Sequence, residues 1–219
     1  MKIGMILDAI YPSDARVTNE CEELIKNGHE VYLFCLSYQK NYIKSEIIND
    51  IKVRRYYCSS LTYKLSALAN DFPLYSILMK SKIKDFVFNS KIDRMHIHDI
   101  QIAKAAVDVC NKYNLKYTLD LHENRHEIMK FYKHVNSFLG KLLISIKRWK
   151  KAEEEYISKA EKVIVVTHQA KKEIIERCKI SNDNVVVYPN TVRKSFYQNK
   201  NYDEELKEKY AKNYVLLYI

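Results

Sequence analysis

The sequence predicts an α/β protein built on a doubly wound parallel sheet, and three observations carry the prediction. Short apolar runs alternate with longer amphipathic stretches along most of the 219 residues, as strands buried on both faces do when crossover helices separate them. The first 36 residues hold a complete strand–helix–strand unit with its punctuation, and such a unit closes with a right-handed crossover. Three loops at strand ends carry clusters of Asp, His, Arg or Glu, and open parallel sheets bind ligands beyond the carboxyl ends of their strands.

Residues 2–7 (KIGMIL) form an unbroken apolar run and read as the first strand. A loop with Pro12 follows, then a helix from Asp14, a capping residue, to Asn27, where Gly28 stops it. Residues 29–36 (HEVYLFCL) are the second strand, and the alternating 51–57 (IKVRRYY) reads as a strand near an edge. A helix over 74–89, a strand over 94–97, a helix over 101–113 and a strand over 116–121 repeat the pattern. One long helical region is expected over 127–159, then a strand over 162–166, a helix over 168–179 and a strand over 184–187. Residues 1–190 therefore form one domain, and the polar 191–213 reads as a linker with a short helix near 203–210. Residues 214–219 (YVLLYI) read as the first strand of a further, C-terminal domain, the alternative being a last strand of the same sheet.

Composition excludes several functions. The chain has only three glycines, Gly4, Gly28 and Gly140, so neither a Walker A loop nor a G-x-G-x-x-G fingerprint can be assembled. Any phosphate must be held by helix N-termini, Arg or His. Lys and Arg total 37 against 27 Asp and Glu, a net charge of +10, which attracts nucleic acid, phosphorylated ligands or an acidic membrane surface. Five widely spaced cysteines without a C-x-x-C pair read as reduced thiols of a cytoplasmic protein. Asp8 interrupts the first apolar run too early for a signal peptide.

The three strand-end clusters are residues 8–16 (DAIYPSDAR), His96-Ile97-His98-Asp99 and Asp120-Leu121-His122-Glu123. A strand period of two puts His96 with His98, and Asp120 with His122, on common faces. Three readings follow: the groups cap helices and satisfy buried backbone; they ligate a metal; or they contact hydroxyls and phosphates of a polar ligand. The chain resembles a known family through P-S-D-A-R-V-T-N-E, N-G-H-E-V, H-I-H-D, L-D-L-H-E, A-E-K-V-I-V-V-T and V-V-Y-P-N-T-V, in this order. It is similar to the N-terminal half of retaining GT-B glycosyltransferases of the family 4 type. The resemblance implies one Rossmann-like domain of a two-domain architecture, binding mainly the acceptor, with a nucleotide-sugar donor held by the other domain. No cofactor and no metal are implied.

By the same resemblance His98 and Asp99 are the catalytic pair, and Arg16, Asp14, His96, Asp120, His122, Glu123 and Asn190 bind acceptor or donor. In two places the sequence departs from the family: the first loop lacks a glycine pair, and P-N-T replaces the usual P-N-G. The implied partners are a nucleotide-sugar, a glycan or lipid-linked acceptor, and no nucleic acid.

Between 130 and 151 stand Lys130, Lys133, Lys141, Lys147, Arg148, Lys150 and Lys151 without any Asp or Glu. On one continuous helix Phe131, Val135, Phe138, Leu139, Leu142, Ile146 and Trp149 fall on one face with most bases opposite. This is either a helix packed on the sheet with a solvated outer face or a patch resting on anionic lipid. The sequence thus predicts an acceptor-side glycosyltransferase domain, inactive alone, cytoplasmic and peripheral at the inner face of the cell membrane, acting in polysaccharide or glycolipid synthesis. Two alternatives remain: a basic nucleic-acid-binding module with tyrosines as stacking groups, and a metal-dependent hydrolase using His96, His98 and His122.

Overall fold

The computed structural model describes residues 1–192 and 203–215. Eight strands form one sheet in the order β3-β4-β2-β1-β5-β6-β7-β8: β1 (Lys2–Ile6), β2 (Glu30–Ser37), β3 (Ser45–Ile48), β4 (Ile51–Tyr57), β5 (Arg94–His98), β6 (Tyr117–Leu121), β7 (Lys162–Val165) and β8 (Val185–Val187). All pairings are parallel except β3–β4. The order reverses direction at β1, which pairs with β2 on one side and β5 on the other. That is the topological switch point of a doubly wound Rossmann-like sheet.

The strand period of two sorts β1 between two cores. Ile3, Met5 and Leu7 pack with Val17 and Cys21 of α1 (Ala15–Lys26), whereas Ile6 joins Phe34, Met79, Phe86 and Ile97 under α3 (Leu74–Ser90) and α4 (Ile100–Tyr113). Gly4 faces this second core, where a Cβ would stand 2.9 Å from Ile92 and 3.0 Å from Phe86. Glycine is what lets α3 lie so close to β1. Helix α1 starts where the Asp14 carboxylate accepts a hydrogen bond from Val17 N, and ends before Gly28 at φ 78°. All five cysteines are free, four of them buried.

The strand over 51–57 lies near an edge, as expected, but β3 pairs outside it, through a tight turn in which Asn49 and Asp50 both have positive φ. Two expectations change. The long helix expected over 127–159 is a series of pieces: α5 (Arg125–Ile128), a 3-10 turn (Met129–Phe131), α6 (Lys133–Asn136), α7 (Phe138–Leu143) and α8 (Ile146–Lys159). The breaks are chemical: Ser137 and Ser145 adopt extended backbone and accept hydrogen bonds from Gly140 N and Arg148 N, capping the next piece. The single apolar face therefore does not exist: Val135 and Trp149 are buried, but Phe131, Phe138, Leu139 and Leu142 are exposed. Short α2 (Ser60–Lys64) and α9 (His168–Cys178) complete the layers, and α10 (Glu204–Tyr210) is capped by Asp203. Residues 193–202 of the 191–213 linker and residues 216–219 of the last expected strand lie outside the described residues. No helix among the described residues is long and apolar enough to cross a membrane.

Candidate functional site

The parallel register sets His98 of β5 beside Asp120 of β6, and their side chains form the floor of a charged cluster under the rim of the sheet. Asp120, wholly buried, is its hub. Its Oδ2 accepts from Arg16 Nε at 2.9 Å and lies 3.1 Å from His98 Nδ1 and 2.8 Å from His122 Nε2, while Oδ1 accepts from Arg16 Nη2 at 2.7 Å. Glu20 of α1 approaches Arg16 Nε at 3.3 Å and His96 Nε2 at 3.1 Å, and the rings of His96 and His98 stack with centroids 4.6 Å apart.

The electrostatics follow from burial and these contacts. Burial alone would raise Asp120, but donors from His122, His98 and Arg16 hold it well below the usual carboxylate range. Burial opposes the charge on His122, yet the Asp120 hydrogen bond and the Asp99 carboxylate outweigh it and lift its pKa to about 9. His98 goes the other way: burial depresses its pKa, so its ring stays neutral. The two buried carboxylates, Glu20 and Asp120, thus lie against two cations, Arg16 and His122, with the Asp99 carboxylate on the outer side of His122.

Asp99 turns the chain from β5 into α4 with φ 64° and ψ 160°. That region is nearly reserved for glycine and costs on the order of 1–3 kcal/mol. The carboxylate so held stands 3.5 Å from His122 Nδ1. Asp99 does not cap α4 with its side chain, so helix capping does not explain the strain.

Arg16 also ties the first loop to the exit of β8. Its Nη1 donates to Tyr188 O at 2.6 Å and Asn190 Oδ1 at 3.2 Å, and Asn19 Nδ2 donates to Thr191 O at 3.2 Å. Above this brace lies an open depression of about 320 Å³ lined by Ser13, Asp14, Ala15, Arg16, His122, Asn190 and Thr191. Size does not select it, since a depression of about 600 Å³ lies along α9 and β8. There, however, Lys171 is already bonded to Val185 O, and no interacting network of histidine and carboxylate lines it among the described residues.

Seven of the expected residues therefore converge with Arg16: Asp14, His96, His98, Asp99, Asp120, His122 and Asn190. Within the group the roles sort by access. His98 has no exposed surface, and His96 lies buried on Glu20, whereas His122 opens onto the depression. Glu123 points away and pairs with Arg125 Nη2 at 2.6 Å. The basic residues of 130–151 lie on other elements. Asp8, two residues past β1, opens the first strand-end cluster, but the motif reading gives it no role there. It accepts a hydrogen bond from Tyr75 OH, its Oδ2 is buried without a partner, and burial raises its pKa to about 7. The signal was present in the sequence: Asp8 breaks an apolar run at a strand's carboxyl end.

Glu20, His96, His98 and Asp120 each offer a ligand atom within 4.8 Å of the others. Arg16 already contacts both carboxylates, and three donors crowd Asp120 Oδ2. A dication here would face a guanidinium and an imidazolium at close range, which their like charge does not favour.

Comparison with known proteins gives the lineage. No curated protein matches the sequence. Sucrose-phosphate synthase from Thermosynechococcus elongatus superposes with a TM-score of 0.63 at 15% identity, over 86% of this chain and 48% of that one. A structure described as trehalose-6-phosphate from E. coli bound with UDP-2-fluoro glucose gives 0.64 at 12% identity, over 97% and 54%. UDP-GlcNAc 2-epimerase from Methanocaldococcus jannaschii gives 0.54 at 14% identity, over 99% and 54%. The chain spans about half the length of these structures, and at such identities they show a shared fold, on which an epimerase and a synthase both occur. The sequence itself matches Glycosyltransferase Family 4 over residues 15–196. The chain belongs to Glycosyltransferase Family 4.

Proposed function

We propose that this chain is the acceptor-side half of a retaining, two-domain GT-B glycosyltransferase that moves a sugar from a nucleotide-sugar to a glycan or lipid-linked acceptor. The observation that carries the reading is the ring of His122, held between the Asp120 and Asp99 carboxylates, which favour its imidazolium form, at the mouth of the depression beside the N-terminus of α1. When a glycosidic bond to a diphosphate breaks, negative charge grows on the leaving oxygens. A preorganised cation and helix N–H groups stabilise that charge without reorganising. Asp99 is placed to accept from a sugar or acceptor hydroxyl. Neutral His98 and its neighbour His96 lie beneath and position Asp120 and His122 rather than touching substrate.

Arg16, whose donors are bound to Asp120, Tyr188 and Asn190, braces the loop and does not reach for phosphate. In this reading no cofactor or metal takes part: His122 and the N-terminus of α1 face the leaving phosphate. The implied setting is polysaccharide or glycolipid synthesis at the cytoplasmic face of a membrane. On this reading transfer also needs a donor-binding half, so the 219 residues alone are inactive. A transfer assay with a panel of nucleotide-sugars tests this: the 219-residue chain alone transfers nothing. Sugar transfer by the 219-residue chain would overturn the reading.

A further inference from the structure

The segment between β6 and α8 breaks the rule that short helices hide their apolar side chains. Helix α7 has only six residues, too few to be stable unsupported. What holds it is Gly140, where an added Cβ would lie 1.9 Å from His134 O and 2.7 Å from Val135 O. The helix thus rests on the backbone of α6 through its one side-chain-free position. Its larger side chains are left outside: Phe138 is 86% exposed, Leu142 70% and Leu139 63%, with Phe131 before α6 at 82%. Buried Asp71 accepts from Ser145 N at 3.0 Å and Trp149 Nε1 at 2.9 Å, tying the segment before α3 to the junction of α7 and α8.

Charge selects the occupant. Residues 130–151 contain no Asp or Glu. Lys130 pairs with Glu127 and Arg148 with Asp71, but Lys133 and Lys141 have no carboxylate partner among the described residues. A second copy of the chain would set like charge against like across a two-fold contact. A single-stranded nucleic acid would use the bases but not the leucines. A bilayer rich in anionic lipid satisfies both, its acyl boundary taking the apolar side chains and its headgroups the lysines.

We propose that α6, α7 and their flanking turns form an interfacial foot that inserts Phe131, Phe138, Leu139 and Leu142 into an anionic membrane surface. This sharpens the membrane-facing part of the proposed function but rests on exposure and charge alone, so vesicle binding and sugar transfer can fail independently. The test is co-sedimentation of the 219-residue chain with phosphatidylglycerol–phosphatidylcholine vesicles, against phosphatidylcholine vesicles, single-stranded RNA and a measured oligomeric state. Binding to the anionic vesicles is expected, at least tenfold weaker on neutral ones. Phe138→Asp with Leu142→Asp should lower it tenfold or more while circular dichroism and the melting curve stay unchanged. Lys133→Ala and Lys141→Ala should each lower it about fivefold. The proposal is overturned if the chain ignores anionic vesicles, if the aspartate pair binds them as well as the native chain, or if the pair instead dissociates a dimer. RNA binding without vesicle binding overturns it too.

Discussion

Two polar regions of this chain solve opposite problems. Beneath the rim of the sheet Glu20 and Asp120 are buried against Arg16 and His122. At α6 and α7 lysines stand unmatched beside phenylalanines and leucines that nothing covers. In the first region the buried charges pair within the protein, and its one outward cation, His122, is held by Asp120 and Asp99. The second is incomplete without a partner. A buried charge network is costly to disturb and serves to hold one group in one state, whereas an uncovered apolar surface marks where another body fits.

The comparison predicts its own hierarchy of effects. Asp120→Ala strands Arg16 and His122 without their carboxylate and should cost about 3–5 kcal/mol in urea or thermal unfolding. A loss under 1 kcal/mol would show the network to be slack. Next comes pH. The folded pKa of His122 is raised to about 9 from 6.5, so the stability it contributes is fully present below pH 6.5 and lost as pH rises through 9. The loss should be up to about 3 kcal/mol, and absent in His122→Ala.

Asp8 adds to it from the other side. Its folded pKa is raised from 3.8 to about 7, so stability present below pH 3.8 is lost as pH rises toward 7. Asp8→Asn should flatten that decline. In the second region Gly140→Ala forces a Cβ into backbone at 1.9 Å and should cost about 1–3 kcal/mol, with hydrogen exchange rising in α6 and α7. Smallest of all, Phe138→Asp and Leu142→Asp should each change stability by no more than about 0.5 kcal/mol. A larger loss would mean those side chains are packed after all.

Much of the fold was legible because it is local. Strand period, Asp14 as a cap, Gly28 as a stop and the polar clusters at strand ends are all signals within a few residues of one another. The β3–β4 hairpin was equally local, and Asn49-Asp50 between apolar runs was its signature. The serines that cut the long helix also advertise themselves as caps, but a 3.6-residue apolar period running across them masked the breaks. The site was legible only as a set of residues. That Arg16 would meet Asp120, 104 positions away, follows from side chains at the start of α1 reaching the ends of β5 and β6, not from spacing. Nor could periodicity tell His98 from His122: both follow an apolar residue near a strand end, and only packing buries one and leaves the other at the surface.

The central claim is that His122 is a fixed imidazolium facing a phosphate. Nuclear magnetic resonance of the histidine rings tests it most directly, by titrating His122 with and without inorganic pyrophosphate. The account predicts a pKa near 9, raised further when pyrophosphate binds, and a high pKa lost in Asp120→Asn. A His122 that titrates near 6.5 and ignores pyrophosphate would contradict it.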